Sequence, residues 1–178
     1  IDAHNQKDIL CVPKHFPGQG SAVQNSHDGI TDISNTWGEE ELLPYEILYS
    51  ESRLDAILVG HVLLKKYDKK FPASLSKKLI TELLRKKMGF DGLVICDDPF
   101  MRAISNQFSF EKTLEKMINA GIDVICLGNN LFSFEPDLVT RAINKIMKLI
   151  TDGKITEERI IESFYRIQTV KKKYCINE

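Results

Sequence analysis

Two adjacent carboxylates, Asp97 and Asp98, follow a glycine-punctuated turn and a continuous apolar run at 93–96. An apolar run of this length, bounded by turn signals, is typical of a strand buried on both faces. In parallel α/β proteins the catalytic groups sit at the carboxyl ends of such strands, which places this pair for acid, base or nucleophilic chemistry. The alternative is that an Asp after a strand caps the next helix, the role we expect for Asp98. On these residues alone the two interpretations stand equal.

A second polar cluster follows the first apolar run of the chain. It consists of Lys14-His15-Phe16-Pro17-Gly18-Gln19-Gly20, with Asn25-Ser26-His27 farther along the same loop. Lys14 and His15 can donate hydrogen bonds into a pocket, as sugar hydroxyls require, while the Pro and Gly residues favour a tight loop. The loop covers 14–36, and loops of such length are often functional. Taken singly, Lys14 and His27 are more simply interpreted as exposed loop residues.

Four strand–helix units are predicted to position these side chains. Apolar runs predict strands at 9–12, 56–60, 93–96 and 123–127, and helical spacing of apolar residues predicts helices at 38–50, 77–88 and 110–120, followed by two more. Ser76 is the expected N-cap of the second helix. In the last two helices we expect Ile143 and Phe164 to face inward. Alternating strands and helices imply parallel pairing through right-handed crossovers.

Four such units make half of a (β/α)8 barrel, and we therefore predict an α/β fold with residues 1–178 as a single domain. An isolated four-stranded sheet leaves two open edges and an uncovered inner face. Either a missing N-terminal half or a second copy of the chain is expected to complete the closure. A small flavodoxin-like open sheet is the structural alternative.

The composition is that of an ordinary globular domain, with 43% hydrophobic residues, 28% charged residues and a net charge of −1. Lys and Arg are scattered among acids, so no nucleic-acid partner is expected, and no apolar stretch is long enough for a membrane span. None of the cysteines forms a C-x-x-C pair, which argues against a metal site or redox motif and for reduced thiols in a cytoplasmic protein. The chain opens on Ile1, from which we expect that an upstream segment has been removed.

Together, the motifs resemble those of glycoside hydrolase family 3, and within it the bacterial β-N-acetylglucosaminidases of cell-wall recycling. The residues that carry the resemblance are Lys14-His15-Phe16-Pro17-Gly18-x-Gly20, Ser26-His27, Gly60-His61-Val62, Pro72-Ala73-Ser74-Leu75-Ser76, Gly89-Phe90-Asp91-Gly92, Asp97-Asp98 and Ala120-Gly121-Ile122-Asp123. They occur in the family's order and spacing, and the likeness extends to at least Asn130. The resemblance implies a TIM barrel of which this chain is the C-terminal half.

The resemblance also implies a mechanism. Asp97 falls on the nucleophile of a retaining glycosidase, which forms a covalent glycosyl-enzyme, and His27 falls on the acid/base of a mobile loop. Lys14 and His15 fall on sugar-binding positions, whereas His61 matches a family position to which we assign no role. The implied substrates are β-N-acetylglucosaminides or muropeptides, and neither a cofactor nor a metal is implied.

Four residues depart from the family pattern. Asn25 stands where the family has an Asp that orients the loop histidine, and an amide supplies no negative charge. Gln19 replaces a His, Ser21 an Asp, and Cys96 the usual Ser. Three of these changes lie in the acid/base loop, which indicates weakened or altered chemistry. They motivate a second hypothesis of another class, a catalytically silent barrel kept for sugar binding or protein contact.

Overall fold

A computed structural model describes residues 1–23, 29–131 and 134–174 of the chain. Within these ranges the helices are α1 (Asp2–Asn5), α2 (Leu43–Ser50), a π-helix (Lys78–Lys87), α3 (Arg102–Ser105), α4 (Phe110–Ala120), α5 (Leu138–Thr151) and α6 (Glu157–Lys173). The strands are β1 (Thr31–Asp32), β2 (Ala56–Val59), β3 (Val62–Leu63), β4 (Leu93–Cys96) and β5 (Val124–Ile125), with 3-10 turns at Glu39–Leu42 and Ala73–Leu75.

The main sheet of the described chain contains β2, β4 and β5 in that order, all parallel. In the pairing of β2 with β4, Ala56 lies opposite Leu93 and Val59 lies opposite Cys96. In the pairing of β4 with β5, Cys96 lies opposite Ile125. A second parallel sheet joins β1 to β3. Parallel strands require crossover connections, and helices lie in the segments between β2, β4 and β5. The predicted α/β fold of parallel βα units is therefore confirmed.

The strand predicted at 9–12 is not formed, and that prediction was wrong in its position. Pairing with β2 begins just after it, where the Leu58 N–H donates to the Pro13 carbonyl (3.1 Å) and the Phe16 N–H donates to the Leu58 carbonyl (2.9 Å). Phe16 also forms a parallel bridge with Val59. Pro13 has no N–H, so it can join the ladder only through its carbonyl. The segment nevertheless lies beside β2, where a fourth parallel strand was expected.

The two faces of the main sheet are covered by different helices. Successive strand residues point to opposite faces, and the face that includes Ile57 and Val94 belongs to the core built with the π-helix and α4. The last turns of α6 cover the other face at the amino ends of the strands. That contact joins Ala56, Leu93, Val170 and Tyr174. The same alternation places Asp97, which follows β4, on this second face.

The ends of the helices follow their sequence signals. Lys77 is also helical, and Ser76 caps the helix that begins there, because its Oγ accepts a hydrogen bond from the Leu79 N–H at 3.3 Å. Ser109 and Thr156 cap α4 and α6 in the same way. Gly121 ends α4 with a φ of 116°, a left-handed conformation that glycine adopts without steric cost.

A buried ionic cluster joins α6 and the π-helix to the sheet at the amino ends of the strands, whereas Asp97 lies at their carboxyl ends. Asp123, at the start of β5, has a fully buried side chain. Its carboxylate contacts Arg85 Nη2 (2.7 Å), Arg159 Nη2 (3.1 Å) and Arg166 Nη1 (3.2 Å). Burial lowers the pKa of Arg85 to about 10, which leaves it protonated at neutral pH. Asp123, the last residue of the Ala120-Gly121-Ile122-Asp123 motif, therefore holds helices to the sheet and lies away from the candidate site.

An apolar groove lies open between α5 and α6. We expected Ile143 and Phe164 to face inward, but they are 53% and 55% exposed. They line a groove of about 380 Å³ together with Val139, Ile146 and Ile167. These two predictions were wrong because helical spacing identifies an apolar face but not whether a neighbour covers it.

Over the same described ranges, no helix is long and apolar enough to cross a bilayer.

Candidate active site

Asp97 lies where the main sheet ends, directly after β4. Its N–H extends the parallel ladder by donating to the Val59 carbonyl at 3.2 Å. Its Oδ1 accepts a hydrogen bond from the Asp98 N–H at 3.0 Å, and the side chain is 31% exposed. The backbone thus fixes one carboxylate oxygen, while the other, Oδ2, faces His15.

The side chain of His15 faces the Asp97 carboxylate. Its Nε2 lies 3.7 Å from Asp97 Oδ2, and Gly60 leaves space for the ring, since a Cβ there would lie 2.9 Å from His15 Cβ. Partial burial lowers the pKa of His15, although the Asp97 carboxylate raises it, and the exposed Lys14 beside it lowers it further. The imidazole is therefore neutral at pH 7 and can both donate and accept a hydrogen bond.

Asp98 is buried, and its carboxylate bonds to the backbone. Oδ1 accepts a hydrogen bond from the Phe100 N–H (2.9 Å), and Oδ2 accepts one from the Gly128 N–H (3.0 Å). The first bond closes the turn after β4, and the second joins that turn to the loop after β5. A Cβ at Gly128 would lie 2.7 Å from Asp98 Oδ2, so glycine is needed for this close approach.

His61 is buried behind this turn. Its Nε2 lies 2.9 Å from the Asp98 backbone oxygen, and its Nδ1 lies 2.7 Å from Ser74 Oγ. A carbonyl oxygen can only accept, so Nε2 carries the proton and the Ser74 hydroxyl donates to Nδ1. Burial lowers the pKa of His61 despite the opposing effects of its bond to Asp98 and of the nearby carboxylates. The ring is neutral and held in one tautomer.

Two side chains that precede α2 hold the loop after His15. Glu41 accepts hydrogen bonds from the Gly20 N–H (3.1 Å) and from the Ser21 hydroxyl. Trp37 is buried, and its Nε1 donates to the Pro17 carbonyl at 3.0 Å. These contacts fix the described first part of the loop against the body of the domain.

The predicted acid/base lies outside the described residues. Asn25 and His27 fall within 24–28, and the described loop ends at Val23 and resumes at Gly29. The structure therefore brings together Asp97, His15 and the His61–Asp98 pair but does not test the position of His27. In the described ranges, no group of three or more His, Cys, Asp or Glu side chains is arranged to hold a metal ion.

Two residues of this site carry no clear sequence signal. Glu41 ends a run of three glutamates that is typical of a solvated first turn, yet it contacts the loop. Ser74 belongs to a short uncharged motif, yet its hydroxyl bonds to the buried His61 ring. Only the motif that contains Ser74 could have marked it.

The sheet and the site together define a class of protein. Parallel strands with helical crossovers, and a carboxylate beside a histidine at the strands' carboxyl ends, are the arrangement found in barrel enzymes. Residues 1–170 match the family described as Glycosyl hydrolase family 3 N terminal domain. The chain belongs to this family, and the resemblance and the TIM-barrel type of fold are confirmed.

Individual relatives agree with this assignment. A beta-hexosaminidase of Haemophilus influenzae is 31% identical over 183 residues, which cover 99% of this chain and 48% of the relative. The beta-N-acetylglucosaminidase from Thermotoga maritima is 33% identical with a TM-score of 0.80, over 99% of this chain and 37% of that one. A family 3 beta-N-acetylglucosaminidase from Paenibacillus sp. str. FPU-7 is 27% identical with a TM-score of 0.89, over 100% and 34%. The chain therefore spans about half the length of the curated relatives it matches.

Proposed function

We propose that this chain carries the catalytic carboxylate of a retaining glycoside hydrolase that removes terminal β-linked N-acetylglucosamine. The observation that supports this most directly is the Asp97 carboxylate at the carboxyl end of β4, held by the Asp98 N–H and facing His15. The relatives named beta-hexosaminidase and beta-N-acetylglucosaminidase support the choice of sugar.

The proposed reaction is a double displacement. Asp97 attacks the anomeric carbon, the glycosidic C–O bond breaks, and protonated His27 gives its proton to the leaving oxygen. Water then attacks the same carbon while neutral His27 takes its proton, and the bond between the sugar and Asp97 breaks. The two inversions return the sugar with its original β configuration.

The remaining residues are assigned supporting roles. Lys14 donates to sugar hydroxyls as a cation, and neutral His15 binds them as donor or acceptor. Asp98 shapes the turn that carries the nucleophile. Asn25 replaces a carboxylate that would orient His27, so we expect catalysis to be weaker than with an Asp at this position.

The fold assignment adds a proposal about assembly. Residues 1–178 would form the C-terminal half of the barrel, completed by an N-terminal half or by a second copy of the chain. The coverage of 48% of the Haemophilus relative supports this, as does the apolar groove between α5 and α6, which leaves Ile143 and Phe164 exposed.

A biological setting follows from the same resemblance. We propose muropeptides or other β-N-acetylglucosaminides as substrates and peptidoglycan recycling in the cytoplasm as the process. The reduced thiols expected from the sequence would suit this setting, because disulfides are rare in the cytosol.

The alternative is a catalytically inactive module that binds sugars or another protein. The observation that favours it is the set of replacements in the acid/base loop at Gln19, Ser21 and Asn25. It differs from the first proposal in one measurable respect, since it expects saturable binding of N-acetylglucosamine-containing fragments without turnover.

The deciding experiment measures hydrolysis of an aryl β-N-acetylglucosaminide by the 178-residue chain and by Asp97→Ala. Glu158→Ala is the matched control, because this exposed carboxylate lies next to Arg159 at the opposite edge of the sheet. Activity in the chain and the control but not in Asp97→Ala supports the hydrolase. Turnover that survives Asp97→Ala contradicts it, and binding without turnover in all three favours the inactive module.

A further inference from the structure

The buried side chain of His61 forms a hydrogen bond that holds the turn next to Asp97. The His61 Nε2–H donates to the backbone oxygen of Asp98, the residue next to Asp97, at 2.9 Å. The Nδ1 of the same ring accepts a hydrogen bond from Ser74 Oγ at 2.7 Å, and Ser74 is fully buried. Both ring nitrogens are thus engaged inside the protein, and the ring takes no part in binding at the open face.

We propose that His61 is a positioning residue for Asp97. It holds the carbonyl of Asp98, and the N–H of Asp98 in turn holds Asp97 Oδ1 at 3.0 Å. A movement of Asp98 therefore moves the carboxylate that must face the anomeric carbon. A misplacement of about 1 Å at reacting groups can lower a rate by about 10²-fold. The catalytic consequence rests on the function proposed above, whereas the positioning itself does not.

Ser74 supports this arrangement from the other side of the ring. The Asp98 carbonyl can only accept, so the ring proton of His61 lies on Nε2, and Nδ1 is left as an acceptor for the Ser74 hydroxyl. The opposite tautomer would turn a lone pair of Nε2 toward that carbonyl, and the two acceptors would repel. His61 and Ser74 therefore act as a pair, although they lie after different strands.

The first test measures positions and needs no enzymatic activity. In the 178-residue chain labelled with 13C and 15N, at pH 7, the His61 ring should show the Nε2–H tautomer by NMR, and the opposite tautomer would overturn the proposal. The His61→Gln variant keeps an amide donor near the Nε2 position, whereas His61→Leu removes it. The Asp98 amide and the Asp97 carboxyl carbon should keep their chemical shifts in His61→Gln and change them in His61→Leu. Unchanged shifts in a folded His61→Leu would also overturn it.

The second test divides binding from catalysis. With an aryl β-N-acetylglucosaminide, His61→Leu should lower kcat about tenfold to a hundredfold and change KM by less than about threefold, while His61→Gln retains most of kcat. The exposed His4→Gln provides the control. A loss confined to KM, or equal losses in the Gln and Leu variants, would contradict positioning. If the unchanged chain shows no hydrolysis, this polypeptide alone is not a competent enzyme, and the NMR result alone decides the role of His61.

Discussion

The Nε2 of His15 and the Oδ2 of Asp97 lie 3.7 Å apart at the end of the sheet, so the charge of Asp97 affects the protonation of His15. Burial is the main cause that lowers the pKa of His15, and the Asp97 carboxylate opposes it. The Asp97 charge should therefore influence the titration of His15.

Removal of the carboxylate charge should lower the pKa of His15 further. Asp97→Asn keeps the shape of the side chain but deletes the charge that stabilises the protonated imidazole. An NMR titration of the His15 ring in both proteins measures the change, with Glu158→Gln as a control for a distant charge. A His15 pKa that stays the same or rises in Asp97→Asn would contradict the geometry.

Stability should fall on mild acidification. The pKa of His15 is lower in the folded chain than its ordinary value of 6.5, so the unfolded chain binds more protons as the pH falls below that value. The contribution is complete above pH 6.5 and is lost as the pH falls through the folded pKa. Urea unfolding between pH 5 and 7.5 should show a weaker pH dependence in His15→Gln than in the unchanged chain, and His4→Gln should leave it as it was.

Restoring a carboxylate in the acid/base loop should increase the rate of hydrolysis. In Asn25→Asp the new charge can orient and stabilise a protonated His27, and loss of the corresponding Asp in serine proteases costs about 10⁴ in turnover. We expect a rise in kcat of about tenfold or more. Asn144→Asp adds the same charge on the exposed surface of α5 and serves as the control. Equal rates in the two variants would show that His27 does not limit catalysis.

The ionic cluster around Asp123 should contribute strongly to stability. Asp123→Asn leaves Arg85, Arg159 and Arg166 facing a neutral amide in a buried site, and breaking a buried ion pair costs about 3–5 kcal/mol. Urea denaturation gives the free energy of unfolding directly. Asp152→Asn, which removes an exposed pair with Lys148, should leave that free energy nearly unchanged. Similar small decreases in the free energy of unfolding of both variants would contradict a strong contribution of the cluster to stability.

Two glycines with positive φ should differ in their tolerance of a side chain. A Cβ at Gly121 would lie 2.9 Å from Ile80 Cγ2, whereas at Gly153 nothing lies within 4 Å. Both Ala variants bear the left-handed strain of about 1–2 kcal/mol, and Gly121→Ala adds overpacking of about 1–3 kcal/mol. The difference between the free energies of unfolding of the two variants gives the cost of overpacking at Gly121. Gly153→Ala losing as much as Gly121→Ala would contradict it.

The sequence predicts the elements of this fold better than their contacts. The helix expected at 110–120 is observed as Phe110–Ala120, since a capping serine and a left-handed glycine mark its two ends. The turn that contains Asp97 is also placed correctly, because a four-residue apolar run can be little else between two turn signals. Local chemistry thus determines where these elements begin and end.

The hydrogen bonds that join His61 to Ser74 and to Asp98 could not be predicted in this way. His61, Ser74 and Asp98 meet only because β2 and β4 are neighbours in the sheet and the chain between them folds back across their ends. Glu41 likewise contacts a loop that lies far from it in sequence. Such contacts depend on strand order, which periodicity does not encode. The exposure of Phe164 was missed for the same reason.

The residues that cover the sheet on the Asp97 face are synthesised well after the strands they cover. Val170 and Tyr174, at the end of α6, cover the amino ends of the strands on the face that carries Asp97. As the polypeptide leaves the ribosome, Ala56 and Leu93 emerge long before these covering residues do. The nascent sheet must therefore pass through a stage with one bare apolar face, in which it is open to wrong partners and to chaperones. A ribosome stalled before α6 would hold a chain that already contains Asp97 but lacks the residues that cover this face of the sheet.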